Sequence, residues 1–410
     1  MSIASTPAYK LLPDLWSRDK IWEAILGQGA GLGILPKDTT FSEKKRYVPV
    51  GYGAPQGFGT TYGGAKFAKS PGQAVEWEIT HKHFYGLFGT DGFLGRQSKY
   101  GQGKAVLVDP TVRDSKLLMN AGKRILSQGL YSNGGGALGV SSAIAGQRIT
   151  FSSARAIRGL ERNMLLTSST TDGTSGAENA GYVTVAAVGN EDFPYVDVAE
   201  ASVLAGIPGA IAGDYFFRRD TFGNMMSGFP AWLPAWTSGS LPGTFKGVPR
   251  NNFPERLAGT YLDCRTFSPR QALQQACIRS GGGEGEPTHY ICSPNRWAAL
   301  QTELLSANMM MMTKAPAAPV GKVNFGIEYD AMTYMGPRGK VMVLMDSECR
   351  DEDSWLIQAD TWSLMSMSDL LHWEYENRQE DGADAKEAML VGDYELCCSN
   401  PFPNVRLRHV

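Results

Sequence analysis

The chain has 410 residues, of which 42% are hydrophobic and 20% charged, and its formal net charge is −2 at pH 7. This composition excludes a disordered chain, and the near-zero charge excludes a general electrostatic attraction to nucleic acid or an anionic membrane. No apolar run approaches the ~20 residues that a membrane-spanning helix needs, and residues 1–7 lack the pattern of a signal peptide. Six cysteines without a Cys-x-x-Cys spacing predict reduced, mostly buried thiols in a protein that assembles in the cytosol.

Residues 1–40 are predicted to form an N-terminal arm. An amphipathic stretch from Leu15 to Leu26 carries Trp16 and Trp22 at roughly helical spacing. Because such large apolar side chains are unfavourable on the surface of a monomer, we expect both tryptophans to contact a neighbouring subunit.

Glycine and aromatic residues dominate the next segment, residues 41–104. Residues 27–103 contain 17 glycines, about three times the average usage. Residues 74–80 alternate as a strand does, with Trp77 on the apolar face. The segment is too apolar for a solvated linker and too rich in glycine for a core of its own. It is therefore predicted to be a long two-stranded hairpin that packs on another surface.

Charge is unevenly distributed along the chain. Residues 41–104 contain nine Lys or Arg against four acidic residues, whereas residues 346–393 contain fourteen acidic residues against three Lys or Arg. Two interpretations are open: surfaces of opposite sign meet between copies of the chain, or two solvated faces carry opposite charge.

A long helix is predicted at residues 109–130. Asp109 is a suitable N-cap, Pro110 suits the first helical position, and Gly129 is predicted to end the helix. The predicted apolar face consists of Leu118, Ala121, Ile125 and Leu126.

The following segments differ in pattern. Residues 132–147 are expected to form a loop and residues 149–166 a helix. Residues 182–236 carry short β-rich runs separated by turn residues, which predicts a small meander or half-barrel. Residues 260–365 alternate helix and strand, which is typical of a compact α/β domain, and residues 370–410 return to strand patterns that complete an earlier sheet.

Motifs that carry catalytic chemistry are sparse. The glycine run at residues 27–33 follows a predicted helix instead of opening one, which argues against a dinucleotide-binding loop. His81 and His83 lack further ligands at a convincing spacing. The acidic residues 346–353 are most simply a solvated loop. We therefore predict no catalytic residue, no cofactor and no metal, and a protein whose function resides in its surfaces.

The order of these segments resembles that of the tailed-bacteriophage major capsid protein, the Hong Kong 97 fold. Three stretches carry the resemblance: Val108 to Gly129, Ala205 to Pro234, and Pro287 to Trp297. They correspond to the spine helix, to a β-rich insertion and to the strand-to-helix step of the axial domain. The resemblance covers essentially the whole chain and rests on layout more than on signature residues.

The resemblance implies an α+β protein with a Hong Kong 97-type capsid fold. Its parts would be an N-terminal arm (residues 1–40), an extended β-hairpin loop (41–104), a peripheral domain with the long spine helix and a β-rich insertion (105–259), an α/β axial domain (260–365) and a return to the peripheral domain (366–410). Arms and glycine-rich loops would absorb the slightly different angles at which identical subunits meet in a closed shell.

By the same resemblance, the chain self-assembles into the icosahedral shell that encloses the double-stranded DNA of a tailed bacteriophage. Its implied partners are copies of itself as hexamers and pentamers, a separate scaffolding protein, a portal protein and a decoration protein. DNA would be enclosed without sequence-specific binding, and no membrane is involved. The implied location is the virion, after assembly in the host cytoplasm. The candidate inter-subunit contacts are Trp16, Trp22, Lys66, Trp77, Phe84, Tyr85, Phe88 and Phe93.

Three other functions remain open on the sequence. A cellular nanocompartment shell has the same fold, although such shells usually come from shorter chains. A β-rich hydrolase would use paired carboxylates from residues 346–353 or 374–381. A tail or baseplate component would form rings or tubes instead of closed shells.

Overall fold

The computed structural model describes residues 30–91, 110–306, 311–312, 332–379 and 385–410. The predicted stretch with Trp16 and Trp22, the N-cap Asp109 and the predicted contact Phe93 lie outside these residues. The described chain divides into two compact units, each built from several stretches of sequence. The first unit contains residues 30–33, 82–91, 110–228, 366–379 and 385–394, and the second unit contains the remainder.

A long helix that packs on antiparallel strands forms one part of the first unit. The helix spans Pro110–Leu130, as predicted, although it continues one residue past Gly129. Three of the five strands of this sheet are Lys82–Asp91, His372–Gln379 and Ala385–Cys398, and the last of these pairs with both others. A Cβ atom at Gly122 would lie 3.0 Å from Leu371 Cδ1. This close approach explains a glycine in mid-helix, where it is about 1 kcal/mol less favourable than alanine.

The buried face of this helix differs from the predicted one. Leu126 is buried as predicted, whereas Leu118, Ala121 and Ile125 are only half-buried. Lys123 occupies a buried position on the same face, where its Nζ donates to Asn120 Oδ1 at 3.1 Å and burial lowers its pKa. Because Lys123 is polar, the spacing of apolar residues along the helix does not show that its position is buried. The buried side chains of the helix include Ser115, Met119, Lys123, Leu126, Ser127 and Leu130.

A closed β-barrel forms the other part of the first unit. Around the barrel, its six strands are Tyr215–Arg218, Gly139–Ala145, Arg148–Phe151, Tyr195–Val198, Val183–Val188 and Leu165–Ser169. The predicted β-rich runs at residues 182–236 supply three of them. The predicted loop at residues 132–147 and helix at residues 149–166 are wrong, because both contribute strands. Ile149 and Phe151 alternate with polar neighbours and point into the barrel core, a period of two that excludes a helix.

The second unit is built on a seven-stranded mixed sheet. In spatial order, its strands are Thr260–Asp263, Val405–Arg408, Asp353–Ile357, His289–Cys292, Gly339–Met345, Met332–Gly336 and Met311–Met312. The helices Pro269–Arg279 and Pro294–Ser306 contribute apolar side chains to its core. Ser268 begins the first of these helices with a capping box, in which its Oγ accepts from the Gln271 N–H. The predicted alternation of helix and strand between residues 260 and 365 is present.

One strand of this sheet comes from a distant part of the sequence. Val405–Arg408 lies between Thr260–Asp263, to which it is parallel, and Asp353–Ile357, to which it is antiparallel. The resemblance implied that residues 366–410 return together to one domain. Instead, residues 395–410 belong to the second unit, because their strand completes its sheet.

A two-stranded antiparallel ribbon also belongs to the second unit. It consists of Lys45–Gly53 and Gln73–Thr80, with a short helix, Tyr62–Phe67, between them. The predicted hairpin is therefore present, but within narrower bounds than 41–104, since Lys82–Asp91 joins the sheet of the first unit. The strands Lys37–Asp38 and Trp362–Ser366 pair in parallel and are the other two strands of the five-stranded sheet. The remaining short elements include the helices Ala30–Ile34, Val203–Gly206, Phe229–Trp232 and Pro254–Ala258 and the strand pair Thr244–Phe245 with Val248–Pro249.

Candidate inter-subunit surfaces

Buried aromatic side chains attach the ribbon to the second unit. Trp77 is fully buried and packs edge to face on Trp232 and Phe245, with ring centroids 5.2 and 6.3 Å apart. Buried Arg250 donates from Nη1 to the Trp232 carbonyl at 3.2 Å, and its guanidinium lies 4.6 Å from the Phe245 centroid. Burial lowers the pKa of Arg250 to about 10. The base of the ribbon is thus part of the core of this unit.

The position of Trp77 is at odds with its prediction as an inter-subunit contact. Val75, Trp77 and Ile79 do share one face, as predicted, but Trp77 and Ile79 are completely buried within their own unit. The N–H of Glu78 also donates to the Lys246 carbonyl at 3.0 Å. An apolar stripe on a strand indicates that a face is covered, but not which surface covers it.

The distal part of the ribbon, residues 54–72, is here called the ribbon tip. None of its residues is buried. Phe58, Tyr62 and Phe67 are 84%, 84% and 95% exposed, and the predicted contact Lys66 is exposed beside them. The ribbon tip contains two lysines and no acidic residue. Lys66 is among the predicted contacts and the three aromatics are not, although their glycine neighbours and the lack of strand alternation indicate an exposed loop.

A β-bulge separates the attached part of the ribbon from its tip. Tyr52 is the extra residue, because the partners of its two neighbours on the opposite strand are adjacent. Its carbonyl accepts a hydrogen bond from Arg256 Nη1 at 2.5 Å, and its ring lies 5.4 Å from that of Phe253. A cleft of about 410 Å³ opens beside the bulge. The cleft is lined by Gly51, Tyr52, Gly53, Ala54, Arg256, Asn400 and Phe402.

Three other predicted contacts lie on strand Lys82–Asp91 of the first unit. Phe84 and Phe88 are half-buried. A Cβ atom at Gly122 of the long helix would lie 3.6 Å from Phe84, and Phe88 packs edge to face on Trp373 at 5.7 Å. Tyr85 alternates with them and is 58% exposed. Of these three aromatics, Tyr85 is the one that presents most of its surface to a neighbour, whereas the other two pack within the unit.

Two acidic residues of the candidate cluster 346–353 are engaged in structural pairs. Buried Asp353 accepts hydrogen bonds from Arg406 Nη2 at 2.8 Å and Arg408 Nη1 at 3.4 Å. Asp351 accepts from Ser293 Oγ. These carboxylates stabilise the sheet and the start of a helix, which favours a structural role over a catalytic one.

The two histidines considered as metal ligands have other partners. His81 stacks on Phe41, with ring centroids 3.8 Å apart, and His83 Nδ1 lies 2.5 Å from Asp393 Oδ1. Within the described ranges, no three His, Cys, Asp or Glu side chains are grouped as metal ligands. Over the same part of the chain, no helix is both long enough and apolar enough to cross a membrane.

Comparisons with known proteins identify relatives. Residues 210–410 match the family model of the SU10 major capsid protein. The chain is similar to a subunit of the cyanophage A-1(L) capsid, with a TM-score of 0.51, 12% identity and 93% of each chain covered. It is also similar to a capsid subunit of a native GTA particle (TM-score 0.48, 9% identity, 93% of this chain and 90% of that one). A third neighbour is the SrpI encapsulin of Synechococcus elongatus (TM-score 0.44, 8% identity, 93% and 87%). No curated protein sequence matches the chain.

The structural comparison and the family model both indicate a phage capsid protein. Of the three structures, only the cyanophage capsid exceeds a TM-score of 0.5, and the fold assignment rests on it. The predicted α+β, Hong Kong 97-type fold is confirmed. The matched residues 210–410 include the whole seven-stranded sheet. The chain therefore has the fold of a tailed-phage capsid subunit, and its residues 210–410 carry the sequence pattern of the SU10 major capsid protein family.

Proposed function

We propose that this protein is the major capsid protein of a tailed bacteriophage and that its copies assemble into the icosahedral shell around the double-stranded DNA genome. The observation that carries the proposal is the family match over residues 210–410. The capsid fold of the described chain supports it. The role is accordingly structural, and the location is the capsid of the virion.

The ribbon tip is proposed as the arm with which one copy holds the next. Phe58, Tyr62 and Phe67 are almost fully exposed, and the tip has no core of its own. At about 2 kcal/mol for each aromatic side chain that is covered, three rings contribute about 6 kcal/mol before the costs of association. Every copy carries the same tip and the same receiving surface, so contacts of this kind are heterologous, and they form rings where the rotation between copies closes. Tyr85 is a second proposed contact, and Trp16, Trp22 and Phe93 stay proposals from sequence.

The partners of the shell follow from the same proposal. Hexamers and pentamers of this chain would form the wall, together with a portal protein and a separate scaffolding protein, and a decoration protein would bind outside. Assembly would take place in the host cytoplasm. The formal net charge of −2 suits a wall that encloses DNA without binding particular sequences.

Negative-stain electron microscopy with sedimentation velocity tests the assembly of the purified chain. We expect closed shells, or hexamers and pentamers of the 44.5 kDa chain. A monomer that never assembles, even when its neighbouring gene products are present, would contradict the proposal. Shells purified from infected cells should contain DNA. Shells filled with a single protein cargo would instead indicate a nanocompartment.

Excision of the ribbon tip separates assembly from folding. Gly53 and Gln73 already face each other on the ribbon, so an Asn-Gly turn can replace residues 54–72 between them. We expect a folded, soluble chain that forms no shells. A wider deletion, such as residues 50–95, would also remove buried Trp77 and the strand Lys82–Asp91, and would unfold the protein. Shells formed by the shortened chain would refute the role of the tip as an arm.

A further inference from the structure

We propose that Arg256 is a positioning residue for the ribbon: by holding the Tyr52 carbonyl at the β-bulge, it sets the direction in which the ribbon tip points. The inference rests on the proposed function, because the direction of the tip matters only if the tip is an assembly arm. It assigns a role in assembly to a residue that lies outside the ribbon.

The bulge lies where the attachment of the ribbon ends. On the side of the second unit, Val50 and Trp77 are buried, whereas no residue of the ribbon tip is buried. A regular antiparallel ladder resists bending along its hydrogen bonds, and it bends most readily where an extra residue interrupts the register. The orientation of the whole tip is therefore decided at Tyr52.

Arg256 holds the bulge from the short helix Pro254–Ala258. Its Nη1 donates to the Tyr52 carbonyl at 2.5 Å, and its guanidinium lies 5.6 Å from the centroid of Phe253. The Phe253 ring in turn lies 5.4 Å from the Tyr52 ring. The bulged residue is thus held at its backbone by one side chain and at its ring by another.

The cleft beside the bulge gives the ribbon room to change direction. Its volume is about 410 Å³, with residues 51–54 on one side and Arg256, Asn400 and Phe402 on the other. A Cβ atom added at Gly51 would meet no atom within 4 Å. Within the described residues, the Arg256 bond is the one hydrogen bond that joins residues 52–72 to a residue outside the ribbon. Loss of this bond leaves the bulge free to move into the cleft.

A distance measurement on the dispersed chain tests the inference directly. Spin labels are placed at Thr60→Cys in the ribbon tip and Ala299→Cys on the helix Pro294–Ser306, both exposed positions of the second unit. The six native cysteines are buried, so labelling is selective. Arg256→Ala should broaden and shift the distance distribution from electron spin resonance. The matched control Arg279→Ala, an exposed arginine of the same unit, should leave it unchanged.

Assembly then supplies the functional readout. Arg256→Ala should lower the fraction of closed shells in favour of open and irregular particles, and Arg256→Lys, which keeps a charged donor, should restore part of it. An Arg256→Ala chain with the parental distance distribution would overturn the inference. If the distances change but the parental chain never assembles, the proposed function fails and the positioning role of Arg256 stands.

Discussion

Truncation of the three exposed aromatics of the ribbon tip should abolish assembly without affecting the fold. Phe58, Tyr62 and Phe67 are 84%, 84% and 95% exposed, so their replacement by alanine removes no buried contact of the subunit. We therefore expect the free energy of unfolding in urea to change by less than about 0.5 kcal/mol. If the tip docks on a neighbour, each covered ring contributes about 2 kcal/mol. Three rings contribute about 6 kcal/mol, which weakens each contact about 10⁴-fold.

Light scattering during a concentration series measures this effect as the critical concentration for shell assembly. The triple alanine variant should not assemble at any concentration at which the parental chain does, and each single variant should raise the critical concentration about 30-fold per contact. Phe193→Ala is the matched control, since Phe193 is 70% exposed on the barrel side of the first unit. Assembly of the triple variant at the parental concentration would refute the assignment of the tip as the arm.

Three further predictions concern the subunit itself. Trp77→Ala should lower the free energy of unfolding by about 3–5 kcal/mol, because it empties a fully buried site beside Trp232; an equilibrium urea titration measures this, and an unchanged midpoint would place Trp77 outside the core. Gly122→Val should destabilise the chain by about 1–3 kcal/mol in thermal melts, since its Cβ would lie 3.0 Å from Leu371 Cδ1; equal melting of both proteins would show that the helix has room. Burial lowers the pKa of His289 and His409 from 6.5 to about 4, so the unfolded chain binds more protons between these values and stability falls on acidification through this window. The loss should reach about 3 kcal/mol per histidine by pH 4, and a variant with both residues changed to Gln should show a shallower pH dependence of its urea midpoint.

Short sequence patterns predicted the helices and strands whose ends and buried faces depend on residues close by in the sequence. The Asp-Pro start located the helix Pro110–Leu130 to within a residue, and strict alternation located the strand Gln73–Thr80. The barrel was harder, because its strands are short and their neighbours are turn residues. The pairing of Val405–Arg408 with Thr260–Asp263 could not be predicted, since no local pattern specifies a partner some 140 residues away.

The candidate inter-subunit contacts were predicted only in part, because a sequence pattern does not specify which surface covers an apolar side chain. Lys66 and Tyr85 are exposed, as a contact must be before assembly, whereas Trp77 belongs to the core and Phe84 and Phe88 are half-buried within their unit. A large apolar side chain predicts burial in either case. Only the three-dimensional structure tells whether the covering surface is supplied by the same chain, and Arg256 became a candidate only when the fold brought it to the bulge.

The position of Val405–Arg408 inside the seven-stranded sheet has a consequence for synthesis on the ribosome. The strands on either side of it are translated earlier, yet they have no direct pairing with each other and must wait for residue 408 to leave the exit tunnel. Until then the second unit, which includes the anchor of the ribbon, lacks the strand that joins Thr260–Asp263 to the rest of its sheet. On the proposed function, a chain that is terminated before this strand would not present a properly seated arm and would be excluded from a growing shell.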